Sequence, residues 1–167
     1  MTTSRTPSEI ASDADYFYVL QDWPERNHFD MDEARVFHAN DDGTFTDVLL
    51  NGDVYQALAI ASIHPMLGHV VALGTETCGW AAPLTNGDTD GPPSEHPERR
   101  RVRLVTVMTR DLQSGSCITF EDTNKRTLDE GEATGSLALA LQHAVTTSLQ
   151  ATQVWGGVLK SLLSERE

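Results

Sequence analysis

The sequence predicts an α+β protein in which an antiparallel sheet of about four to five strands carries two main helices packed on one face. Three observations lead there. Short runs rich in β-branched and aromatic residues alternate apolar and polar positions, turn residues close two pairs of these runs into hairpins, and only two segments place apolar residues at helical spacing. At 167 residues and 18.3 kDa the chain can bury a core without disulfide or metal staples. Residues 16–167 read as one domain behind a flexible N-terminal arm, 1–15, whose Thr, Ser, Pro and Asp include few large apolar groups.

Tyr16 to Leu20, YFYVL, is a short aromatic run that fits either a strand or one buried helical turn. The polar, proline-bearing segment after it reads as loop. ARVFHA and TFTDVLL, joined through Asn-Asp-Asp-Gly, form the strongest hairpin signal in the chain. Asp53 then caps a helix with Val54, Ala57, Leu58 and Ala61 on one side, which Pro65 ends or kinks near Ile63. Val70 to Trp80 reads as a strand with Val71, Leu73, Thr75 and Thr77 on one face and Ala72, Glu76, Cys78 and Trp80 on the other.

RVRLVTVMTRD is the clearest strand, apolar on both faces from Leu104 onward and therefore central in the sheet. Arg101 and Arg103 at its start call for solvent or an acidic partner. A turn containing Gly115 leads into CITFED as a second hairpin, and TNKRTLDEGEATG reads as polar connection. The last helix begins with Ser136 as cap and carries a stripe of Leu137, Leu141, Ala144, Val145 and Leu149. Gly156-Gly157 is expected to interrupt it, leaving Trp155 to anchor the tail or to meet another chain.

Composition excludes several classes of function. Hydrophobic residues at 39% and charged residues at 22% are a globular balance rather than a disordered one. No apolar run approaches the length of a membrane span, and the first residues have no apolar signal core, so a soluble, cytoplasmic protein is expected. The 12 basic and 25 acidic residues leave a net charge of −13, which repels phosphate backbones and anionic lipid, so neither nucleic acid nor membrane is an expected partner. Cys78 and Cys117 lie in predicted strands without metal or redox spacing and read as free thiols.

No motif predicts a cofactor. Asn86 to Gly91, NGDTDG, reproduces the first half of a calcium loop, but Pro97 occupies the position of the closing Glu and Pro92-Pro93 interrupt the wrap, so a polar connector is expected. His64, His69, Glu76 and His96 are the residue types of a transition-metal site, although Pro65 separates the first two from helical ligand spacing. His28, His38 and His143 offer no partner pattern. The segment Cys78 to Pro83, CGWAAP, resembles the ligand segment of the JAMM metalloproteases. In that family two histidines follow the Gly-Trp, where this chain has Ala81 and Ala82; the resemblance therefore implies no ligand here. Neither a nucleophile elbow nor a phosphate-cradling glycine loop is present.

Arg99, Arg100, Arg101 and Arg103 concentrate positive charge in an acidic chain and are candidates to bind an anion or a partner, unless neighbouring acids such as Glu121 and Asp122 neutralise them. Two functions follow as expectations. The first is a non-catalytic module that binds another protein or its own copy, with Trp155 at the contact. The second is a metal-dependent hydrolase or a binder of small anionic ligands near residues 85–103.

Overall fold

The structure, a computed structural model, describes residues 4–22, 28–29, 32–83, 92–130 and 135–165. Among these residues six strands form one fully antiparallel sheet in the order β2-β1-β3-β4-β5-β6. The strands are β1 (Ala34–Asn40), β2 (Phe45–Asn51), β3 (Val70–Ala81), β4 (Arg100–Thr109), β5 (Ser114–Phe120) and β6 (Arg126–Asp129). Helices α2 (Val54–Ala61) and α3 (Ser136–Ser164) share one face, as the sequence predicts. The α+β class holds, with one strand more than expected. That strand, β6, falls in the stretch read as polar connection because all four of its residues are exposed at the sheet edge and show no alternation.

The other face is not left to solvent. Residues 7–17, placed by the sequence reading within or beside a loose arm, form α1 (Pro7–Phe17), which packs on β4 and β5 through Ile10, Ala11 and Ala14. A capping box starts it: the Thr6 hydroxyl accepts from the Glu9 amide, and the Glu9 carboxylate accepts from the Thr6 amide at 2.9 Å. Pro7 occupies the first helical turn, where its missing N–H costs nothing. Glu130 then accepts from the hydroxyls of Thr6 and Ser8, tying the start of α1 to the end of β6. A π-helical turn, Tyr18–Asp22, follows, so the aromatic run 16–20 is helical and not a strand, with Tyr18 buried and Tyr16 and Leu20 exposed.

Two cores result, one on each side of the sheet. Val36, Leu58, Met66, Leu73, Met108 and Leu141 lie with α2 and α3, while Tyr18, Phe37, Val105, Val107 and Cys117 lie with α1. The alternation along β4 that marks it as central serves both. Along β3 the predicted faces hold from Ala72 onward, but Val70 and not Val71 joins Leu73, because the β1–β3 register shifts between Ala39 and Asn40. Phe37 explains Gly74, where an added Cβ would lie 2.3 Å from the ring.

Local expectations divide in the same physical way. Asp53 caps α2 through the amides of Tyr55 and Gln56, and Gly43 at φ +85° closes the first hairpin. In the second hairpin the left-handed residue is Leu112 at φ 65°, while Gly115 sits inside β5. Its role is steric, since a Cβ there would meet the Ser8 nitrogen at 2.3 Å. Gly135, not Ser136, occupies the cap of α3, and the Ser136 hydroxyl bonds that of Tyr55 at 2.7 Å. α3 runs unbroken through Gly156 and Gly157 for 29 residues. The run NGDTDG lies outside the described residues.

Candidate functional site

β4 divides the arginine cluster by the period of the strand. Arg101 and Arg103 point to the α1 face, opposite Trp80 and Cys78 of β3. Arg103 is buried and donates from Nε to Asp15 Oδ1 at 2.5 Å and from Nη2 to Asp15 Oδ2 at 3.3 Å. Arg100 makes a two-pronged contact with Asp122, at 2.8 and 2.6 Å, and lies 4.1 Å from the Phe120 ring centroid. Arg100 holds the Asp122 carboxyl below its usual range. Two of the four arginines are thus neutralised within the chain. Asp122 was visible as a neighbour in sequence; Asp15 stands 88 positions away. Arg99 and Arg101 flank Trp80 at 5.2 and 5.3 Å, and Arg101 Nε donates to the Phe29 carbonyl at 2.7 Å. An arginine over an indole is a favourable cation–π pair.

Beneath α1 the Arg103–Asp15 contact belongs to a larger array of charge. Arg126 of β6 also bonds Asp15, and Arg35 of β1 grips both oxygens of Asp47, at 2.9 and 2.8 Å, with its guanidinium 4.0 Å from the Tyr18 ring. Glu76 lies at the centre, directly opposite Arg35 and diagonal to Arg103. It is 2% exposed, and its Oε2 has no hydrogen-bond partner among the described residues. Burial pushes its carboxyl up to about 7 against the opposing pull of Arg35. Burial first, and the Asp47 carboxylate second, raise the Tyr18 hydroxyl well above its ordinary value.

The structure does not bring the four metal candidates together. Glu76 lies under α1, whereas His64 follows α2 on the opposite face. His69 precedes the first residue of β3, whereas His96 follows the Pro93–Glu95 turn well beyond its last. Among the described residues no group of three or more His, Cys, Asp or Glu is placed to hold a metal ion. His38 does have a charge relation after all: burial, then the nearby His64 and His69, lower its pKa to about 4. Cys78 and Cys117 are unbridged. β4 runs between their strands, a separation of about 9–10 Å for two strand spacings, beyond the reach of a disulfide.

Trp155 leads to the largest feature that charge and motif did not reveal. The first half of α3 buries Ala138, Leu141, Ala144, Val145 and Ser148 against the body. Ser148 donates to the carbonyls of Ala61 and Ser62, and Thr152 to that of Met66 at 3.1 Å. From Gln153 onward every described residue is exposed. Even so, Val154, Trp155, Val158, Leu159, Leu162 and Leu163 continue the apolar pattern, with Trp155 58% and Leu163 67% exposed. Ser148, Thr152, Trp155, Leu159 and Leu162 recur at i, i+4, i+7, i+11 and i+14, so the exposed stripe prolongs the side of the helix that faces the core. About three turns, some 18 Å, project past the body in this way.

The fold and these features define a three-layered α+β protein with a salt-bridged interior on one face and an apolar helix carried clear of its core. Comparison with protein-family models, with curated proteins and with solved structures found no match. None of the described helices, α3 included, is long and apolar enough to cross a membrane.

Proposed function

We propose that this chain is a non-catalytic interaction module that works in the cytoplasm through the projecting half of α3. The observation that carries this reading is the exposed stripe of six large apolar residues on a helix whose other half is core. A contiguous apolar patch on a folded surface marks a contact, since leaving it wet forgoes about 25 cal/mol for each Å². Trp155, where the stripe leaves the body, is the residue type that dominates such contacts.

A full-length variant with Leu159→Glu and Leu162→Glu tests the reading. At protein concentrations too low for association, its thermal midpoint should match the parent, because neither side chain belongs to the core. A fall of several degrees, the signature of losing roughly 2–5 kcal/mol of core packing, would show that the stripe is needed for the fold and refute the proposal.

A further inference from the structure

Resting on that reading, we infer that the surface is covered by a second copy of the same chain, the two copies related by a two-fold axis beside the projecting helix. The stripe is half of a self-complementary shape. Where α3 leaves the body, Ser148 and Thr152 bond the carbonyls of residues 61, 62 and 66. That contact brings the loop after α2 alongside the emerging helix. The loop turns Ile63 and Leu67 outward, 69% and 53% exposed. The helix is a ridge, and the loop is an exposed ledge beside the point where it emerges. In a two-fold dimer each patch must match itself, so the ridge of one copy can lie on the ledge of the other while the two ridges pack together.

Size and charge favour this occupant. Eight large apolar side chains turning over roughly 60–120 Å² each amount to about 500–1,000 Å² per copy, bracketing the about 800 Å² per partner of a standard interface. Copies of net charge −13 repel one another, so their contact must fall where acids are absent. Between Gln153 and Ser164 the single charged residue is Lys160, and at 100° per residue it falls on the side of the helix away from the stripe. Charge therefore opposes association only at long range, where salt screens it.

Sedimentation velocity on the intact chain, with light-scattering mass, is the test. The parent should reach twice 18.3 kDa in the micromolar range, and added salt should tighten the dimer. Leu159→Glu on the ridge and Ile63→Glu on the ledge should each weaken it more than about thirtyfold, the loss expected at an interface hot spot, with circular dichroism unchanged. A parent that stays monomeric overturns the second copy; if the Leu159→Glu, Leu162→Glu variant still folds normally, the interaction reading survives that result. Loss of fold in the double variant overturns both. A dimer that either single variant leaves intact, or that salt dissolves, overturns the geometry, since a salt-weakened contact would be one of opposite charges.

Discussion

At the scale of the residue, two groups on opposite faces of the sheet carry shifts of opposite effect. Glu76 titrates near 4.5 in an unfolded chain and about 7 in the fold. Between those values the folded chain keeps a proton that the unfolded chain has released, so its contribution to stability falls as pH rises from 4.5 to 7 and is flat beyond. His38 moves from 6.5 to about 4 on folding. There the unfolded chain holds the extra proton, so stability rises with pH across 4 to 6.5. The Glu76 contribution is worth up to roughly 3 kcal/mol, that of the less buried His38 is smaller once solvent screening is counted, and in the parent they oppose one another. Urea unfolding across pH should separate them. Glu76→Gln is expected to leave the rising limb and His38→Gln the falling one. A parent-like profile in either variant would mean that the group is not buried as described.

At the scale of the element, the chain shows which structures are written locally. The first hairpin, the Asp53 cap and the β4 strand were legible because each depends on neighbours within a few residues. α1 was also written locally, in Thr6, Pro7 and Glu9 as a capping box and in Ile10, Ala11, Ala14 and Tyr18 at helical spacing. The polar composition of residues 1–15 concealed it, because alanine buries completely while adding little to a hydrophobic count. Gly156-Gly157 failed as a break because two propensity penalties of about 1 kcal/mol each are a weak prior inside a long helical run. Gly115 looked like a turn residue; its reason lies in α1, more than a hundred positions earlier. Gly115→Ala should therefore lift α1 and cost roughly 2–3 kcal/mol, with loss of amide protection at Ala11 and Ala14. An unchanged unfolding midpoint would contradict the close α1–β5 contact.

At the scale of the molecule, what could not be read was partnership across distance. The sequence shows four arginines together, with Asp122, the partner of Arg100, among the neighbouring acids; only the fold gives Arg103 to Asp15 and leaves Arg99 and Arg101 around Trp80. The metal candidates stand apart for the same reason, because Glu76 faces one side of the sheet and His64 follows a helix on the other. The sequence marks Trp155 as a residue to anchor the tail or meet another chain, and the fold leaves it exposed; the three turns of apolar helix around it were not read. Those turns hold the central claim, and hydrogen exchange measured at increasing protein concentration tests it most directly. Alone, a projecting helix with two glycines should fray and exchange quickly. Covered by a second copy, the amides of 153–164 and of the loop at Ile63 to Leu67 should slow as concentration rises, while β3 and β4 stay unchanged. Exchange at 153–164 that is equally fast at every concentration would contradict the account.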